Sequence, residues 1–386
     1  MAPASRTPVE PVEPPPLQLQ DVLGVPTLPP PPLAAVASRT RAGLARIHRG
    51  SAPPPARIME AALAGLEPAA LAALCHLEVP DHLDRPVALT ELADRLDVDA
   101  DRLRRLLGYG HVRGWIRLDH RRRVHATRVT RFLRRDHPGG WRAWVDFAAG
   151  TEITAAMAAL VRGLGEDGDA FVSANGASFF AWMADHPDRH VTFDAAMAAG
   201  SRMHGLLLAR RLDWAGSRRV CDIGGGDGTL LEVLTSQHHH LEGVVLELPD
   251  VVARMPAHPR VTGEAGDAFA VVPPGFDTYL FVNVLHDWDD RDATHLLRRA
   301  TEAAATRRVT SEADSPRIVV VDSRAHRAPV DDLAQRADLL MLALTPGGRE
   351  RTTREFAGLG DAAGLRLRRT SLLASGDVAH TFTLRG

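Results

Sequence analysis

The chain has 386 residues with 45% hydrophobic and 24% charged positions, a globular composition long enough for two ordinary domains. Its formal net charge of −2 argues against nucleic acid or a membrane surface as the main partner, and its 46 basic residues are all Arg, which removes Schiff-base chemistry on a protein lysine. Cys75 and Cys221 form no disulfide framework and no CxxC metal site. No apolar run approaches the roughly 20 residues of a membrane span and no secretory leader opens the chain, so a soluble cytoplasmic protein is expected.

Residues 1–55 hold 14 of the 27 prolines. That composition predicts a disordered or polyproline arm, with room for one helix over 33–47. Residues 56–140 read as a winged helix. Ile58, Leu63, Leu66, Leu71, Leu74 and Leu77 recur at helical spacing. Thr90 and Asp99 stand where helix N-caps belong, Gly110 and Gly114 close the second helix, and 115–118 with 124–126 flank a polar turn, the pattern of a hairpin. Arg102, Arg104 and Arg105 would face outward on the recognition helix and Arg121, Arg122 and Arg123 on the wing tip. A DNA-binding regulator is therefore one reading. Asp97, Asp99 and Asp101 would repel phosphate at that helix start, which favours a scaffold or dimerisation role.

Residues 141–215 predict helices over 141–164, 176–186 and 191–212, with Phe and Met concentrated among them. Such residues at helical spacing are ordinary core, and they also suit the wall of a flat apolar pocket. From residue 216 onward the pattern alternates. Strands are expected over 220–223, 243–246, 260–262, 278–282 and 318–321, with helices between, which implies a doubly wound parallel sheet. Two last runs, 365–373 and 378–384, form a closing hairpin.

The first of these strands runs into Asp222-Ile-Gly224-Gly-Gly226-Asp227-Gly228. A glycine-rich strand-to-helix turn lets a ligand approach the backbone. Thr229 stands where a dinucleotide fingerprint needs its third glycine, and the spacing DxGxGxG is similar to motif I of S-adenosylmethionine (AdoMet) methyltransferases. Glu247 ends the second strand, where a carboxylate can accept both ribose hydroxyls; a nicotinamide dehydrogenase would use it equally. The third leads to Gly266-Asp267-Ala-Phe269, an acid and a ring for a purine. The fourth leads to Asn283-Val-Leu-His286-Asp287-Trp288-Asp289-Asp290. A histidine at that edge of an open sheet is well placed as a general base, with an ordinary pKa near 6.5. Asp322, ending the fifth strand, and Glu350 are acids that could hold its ring. No Asp/Asn-Pro-Pro-aromatic motif is present, which disfavours base methylation of DNA or RNA.

From about Ile58 to Leu384 the chain resembles the plant-type O-methyltransferase family, including bacterial members that tailor polyketides. The matching pieces are the winged-helix segment, Asp136-His-Pro-Gly139, Phe193-Asp-Ala-Ala-Met197, DIGGGDG, Leu246-Glu-Leu-Pro249, GDAF, LHDWDD and Leu344-Thr-Pro-Gly-Gly-Arg-Glu-Arg-Thr352. The resemblance implies a metal-independent homodimer with four segments: an arm (1–55), a winged-helix dimerisation domain (56–140), a helical linker and acceptor wall (141–215) and a Rossmann-like AdoMet domain (216–386). It implies His286 as base, flanked by Asp322 and Glu350. It places Asp222, Gly224, Gly226, Glu247, Asp267, Phe269 and Trp288 around the cofactor, and Phe193, Met197, Met341 and Thr345 along a phenolic acceptor. Three residues depart from the usual pattern: Glu247 for Asp, Asp322 for Glu and Val282 for Lys. Some bacterial relatives have moved to hydroxylation or decarboxylation while keeping AdoMet.

Overall fold

The computed structural model describes residues 16–165, 168–307, 315–327, 330 and 332–385. Residues 56–140 form the expected winged helix. Strands β1 (Val87–Ala88), β2 (Ile116–Leu118) and β3 (Arg123–Ala126) pair antiparallel in the order β1-β3-β2. Asp99 caps the Ala100–Val112 helix, its carboxylate accepting from Arg102 N at 2.8 Å. Thr90 caps nothing; the preceding helix starts earlier, at Leu89, after Ala88. Leu92, Leu103, Leu107, Ile116 and Val124 fill the small core.

The larger sheet contains β4 (Arg219–Ile223), β5 (Glu242–Glu247), β6 (Val261–Ala265), β7 (Thr278–Val282), β8 (Arg317–Asp322), β9 (Leu365–Leu372) and β10 (Val378–Leu384) in the order β6-β5-β4-β7-β8-β10-β9. Five strands are parallel and β10 runs antiparallel between β8 and β9, the doubly wound sheet with its closing hairpin. Side chains alternate across a strand. Cys221, Ile223, Tyr279, Phe281, Ile318 and Val320 meet the Asp290–Ala305 and Thr353–Ala362 helices on one face. Val220, Val245, Leu280, Val319 and Val321 meet the Pro187–Arg211 and Thr229–Gln237 helices on the other. The apolar runs are continuous because both faces are covered.

The structure corrects four expectations. The continuous helix over 141–164 is three pieces: Arg142–Ala148, Thr151–Ala158 and a 3-10 turn at Leu160–Leu164. Around Gly150 the Arg189 guanidinium and Glu152 carboxylate leave no room for a Cβ. The helix expected over 176–186 is shorter, Phe179–Ala184, and a further helix that the sequence did not suggest, Ala170–Asn175, precedes it. Among the described residues one helical stretch, Pro54–His76, is long and apolar enough by composition to cross a membrane. Arg57, Glu60 and Glu67 interrupt it, and it leaves Ile58, Met59, Leu63 and Leu66 exposed. Finally, the arm is not featureless. Pro31–Ser51 is a helix longer than 33–47, and Leu19–Leu23 is a short helix whose Leu19 and Val22 are buried against Leu206 and Val233. Two buried apolar side chains outweigh a Pro-rich background locally, at about 1.5–3 kcal/mol each. Residues 1–15 of the arm lie outside the described residues.

A buried polar link ties the Pro187–Arg211 helix to the hairpin. His204 Nε2 and Asp377 Oδ2 are 2.9 Å apart, and Ser323 Oγ donates to Asp377 Oδ1 at 2.7 Å. Burial pushes the Asp377 carboxyl up, but the hydrogen bond and charge of His204 and the Ser323 hydroxyl outweigh it and hold it below the usual carboxylate range. Asp377→Asn is expected to cost about 3–5 kcal/mol in urea unfolding, the loss typical of breaking a buried pair. A depressed pKa gives stability that is present above the unfolded value near 3.9 and lost as pH falls below it. The gap between wild type and variant should therefore close on acidification; a gap that is constant down to pH 3 would refute the assignment.

Candidate active site

The chemistry-bearing residues gather at the carboxyl edge of the larger sheet, where crevices form in open α/β sheets. β4 delivers Asp222, 1% exposed, with neither carboxylate oxygen finding a partner among the described residues. Burial, with Glu247 nearby, raises its carboxyl to about 8. In the following turn Gly226 has φ +59°, and a Cβ there would meet nothing within 4 Å, so its backbone faces open space. Gly224, also at positive φ, packs instead on Val284. Glu247 ends β5 and closes the turn: Oε1 accepts from Gly226 N at 3.2 Å and Oε2 from Leu248 N at 2.8 Å. Burial raises the Glu247 carboxyl, and these two donors pull against it. Asp267 Oδ1 accepts from Phe269 N at 2.9 Å, and Phe269 meets Trp288 edge to face at 4.7 Å. The Phe269 carbonyl accepts from Arg299 Nε at 3.1 Å.

After β7 the chain turns through a 3-10 segment, Leu285–Asp287, that presents His286. Its Nδ1 is 3.0 Å from Glu350 Oε1 and its Nε2 is 3.6 Å from Asp287 Oδ1. Burial lowers the affinity of His286 for its proton, yet Asp287, the Glu350 hydrogen bond and Asp322 outweigh that and hold its pKa up at about 10. This moves it well away from the ordinary value expected from the sequence. Asp322 ends β8 fully buried, with neither oxygen partnered among the described residues. Burial pushes its carboxyl far above the usual range, with only partial relief from His286. Of the two acids, Glu350 is therefore the one that hydrogen-bonds the imidazole, and Asp322 does not. Glu350 N in turn donates to Asp338 Oδ1 at 2.9 Å. Gly348 lets the Glu350 loop lie against His286, since a Cβ there would come within 2.5 Å of the His286 carbonyl oxygen.

The apolar residues divide. Phe193 packs against Phe147 at 5.6 Å and Phe179 at 5.3 Å, and Met197 joins the same cluster with Met183 and Leu344. Met341 is buried on the Leu333–Leu344 helix but is not part of that cluster. The Thr345 hydroxyl is committed to the backbone, donating to Met341 O at 2.9 Å and accepting from Gly348 N at 2.9 Å. Three residues to which the sequence assigned no role stand here, two of them, Asp287 and Arg351, inside the LHDWDD and GGRERT motifs. Asp287 faces His286 Nε2. Trp144 lies on the aromatic cluster, its indole N–H buried and unpartnered among the described residues. Arg351 is fully buried and clamps the 285–290 turn, donating to Leu285 O at 2.8 Å, Trp288 O at 2.6 Å and Asp290 Oδ1 at 2.9 Å. Among the described residues no group of His, Cys, Asp or Glu is arranged to hold a metal.

Comparison with known proteins places this crevice in a family. Residues 155–366 match an O-methyltransferase domain and residues 59–136 an O-methyltransferase dimerisation domain. The O-methyltransferase SfmM3 of Streptomyces lavendulae is 30% identical over 321 residues, covering 80% of this chain and 93% of that enzyme. The mitomycin biosynthesis 6-O-methyltransferase of the same organism is 32% identical over 250 residues, 62% of this chain and 64% of that enzyme. The S-adenosylhomocysteine-bound structure of CalO1, a methyltransferase in calicheamicin biosynthesis, superposes with a TM-score of 0.75 at 29% identity, over 85% of this chain and 97% of that one. With the domain match spanning more than half of its length and the dimerisation domain preceding it, the chain belongs to the S-adenosylmethionine-dependent O-methyltransferase family.

Proposed function

We propose that this protein methylates a phenolic hydroxyl of a small aromatic natural product, with His286 as the base, as a cytoplasmic homodimer. The observation that carries this reading is the His286–Glu350 pair at the sheet edge, next to a glycine turn with an unpartnered acid and near a wall of aromatic rings. The residues present fit AdoMet. Asp222 offers an unpartnered carboxyl that an ammonium group beside it would hold ionised, the Gly226 backbone is open to close approach, Glu247 suits ribose hydroxyls, and Asp267, Phe269 and Trp288 suit adenine. When bound, AdoMet supplies a methyl group on a sulfonium centre.

The chain's own residues handle the acceptor proton. Glu350 accepts from Nδ1, so Nε2 is the nitrogen left for the phenol. An unperturbed phenol ionises near pH 10, and His286 at about 10 matches it, so the proton passes between oxygen and Nε2 at little cost. Phenol with neutral imidazole and phenolate with imidazolium carry the same proton count; Asp287 and Glu350 favour the second pair. A buried, water-poor pocket strengthens these interactions. The Phe147, Phe179 and Phe193 rings form an apolar wall for the acceptor ring, and Trp144 N–H offers one donor to a second oxygen on it. The exposed Ile58, Met59, Leu63 and Leu66 face lies within and beside the dimerisation match, and a second copy covers it.

Calorimetry tests the cofactor half. S-adenosylhomocysteine should bind in the micromolar range, and Glu247→Ala should weaken it by about 1.5–3 kcal/mol, the worth of hydrogen bonds to a charged group. Unchanged affinity in that variant, or binding of NAD in place of S-adenosylhomocysteine, would overturn the assignment. Label transfer from methyl-labelled AdoMet to a panel of phenols tests the acceptor half.

A further inference from the structure

We infer that residues 17–24 of the arm are a strap that fastens the winged-helix unit to the catalytic unit and limits the opening of the cleft between them. The inference rests on the reading above for what the cleft admits. Leu19 and Val22 are buried in a small core completed by Leu206 of the Pro187–Arg211 helix and Val233 of the Thr229–Gln237 helix, with Trp141 and Met203 packed around it. The strap's backbone is also bound on both sides. Trp141 Nε1 donates to Val22 O at 2.7 Å and Gln237 Nε2 to Leu17 O at 3.4 Å, while the Arg128 guanidinium donates to Gly24 O. Gly24 has φ +68°, and a Cβ there would come within 3.0 Å of the Phe132 ring. Arg128 and Phe132 belong to the winged-helix unit; Leu206, Val233 and Gln237 belong to the helices flanking the larger sheet.

The same two units border a cleft of about 800 Å³. Arg134 and His137 of the winged-helix unit and Asp194, Asp227 and Arg254 of the catalytic unit line it, with Arg142 and Asp146 of the Arg142–Ala148 helix between them. Asp227 is part of the glycine turn, so the cleft reaches the proposed AdoMet site. The chain passes once from the winged-helix unit into the catalytic unit, near Trp141. A single crossing is a hinge, and a second tie limits how far a hinge opens. The Arg142 side chain, which donates to Asp81 and to the Cys75 carbonyl, is one such tie; the strap is a further one, and it comes from residues more than 100 positions away from Arg128 and Trp141 in sequence.

The test uses the full-length chain. In wild type, amides 19–24 should be protected from hydrogen exchange. In the double variant Leu19→Ser/Val22→Asp that protection should be lost, amides 134–146 should exchange about 3–10-fold faster, and S-adenosylhomocysteine should dissociate about 3–10-fold faster in stopped flow. Trp141→Phe, which removes one hydrogen bond and trims one ring packed on the strap while leaving Leu19 and Val22 in place, should move both readouts in the same direction by less, and it keeps the test available if the double variant does not fold. Unprotected amides 19–24 in wild type would overturn the strap. So would a freed strap that leaves both 134–146 and ligand release unchanged. Failure of S-adenosylhomocysteine to bind wild type would sink the cofactor reading alone, because exchange at 134–146 still judges the strap.

Discussion

His286→Ala is expected to lower kcat by about 10²–10⁴-fold, the usual worth of a positioned general base, with S-adenosylhomocysteine affinity within twofold of wild type. Its pH dependence is distinctive. Because Asp287 and Glu350 overcome burial and hold His286 near 10, the imidazole of the free enzyme is protonated through the neutral range. For a phenol of ordinary acidity, kcat/KM should therefore climb with pH toward a limb near 10, not level off near 6.5. Glu350→Gln keeps an acceptor for Nδ1–H but removes the negative charge that favours the imidazolium, and should lower that limb as well as the rate, since Asp322 makes no hydrogen bond that could take its place. With an electron-poor phenol already ionised at neutral pH, the His286→Ala effect should shrink. A variant with full kcat on ordinary phenols and an unchanged pH profile would make His286 a structural residue.

Arg351→Ala is expected to be the most disruptive single change at the site. It orphans the Leu285 and Trp288 carbonyls and releases Asp290, and each buried acceptor left unsatisfied costs about 1–3 kcal/mol. A loss of about 2–6 kcal/mol in urea unfolding follows, together with loss of activity, because the turn being clamped is the one that carries His286. Arg351→Lys should rescue little: an ammonium is a point donor and cannot span three acceptors as a guanidinium fork does. Wild-type stability and rate in Arg351→Ala would show that the turn holds its shape without the clamp.

Much of this arrangement was legible in advance where the signal is local. The span of β7 is legible residue for residue, because Thr278–Val282 is a covered strand with turn residues on both sides. Asp99 is legible as a cap because a carboxylate before a helix satisfies a free N–H. Thr90 misled for the same reason, since a good capping residue can equally occupy the first turn. At the helix break Gly150 is a weak local sign on its own; what makes a glycine necessary there, the Glu152–Arg189 pair crowding its Cβ position, joins residues 37 positions apart. The arm misled through composition: prolines are counted over dozens of residues, whereas Leu19 and Val22 act singly once Val233 is beside them.

What the sequence determined by itself was therefore the alternation of strand and helix, the glycine turn, the acids at strand ends and a histidine at the sheet edge. These follow from periodicity and backbone sterics, which act over a few residues. Tertiary structure alone decided which acids do what. Glu350 reaches His286 across 64 positions, Asp322 does not bond to it, and Arg351, one arginine among many, locks the turn. It also moved the proton affinity of His286 from an ordinary imidazole to that of a phenol, because burial and the charges around a group set its pKa, and apart from the adjacent Asp287 these exist only once Glu350 and Asp322 are packed beside it.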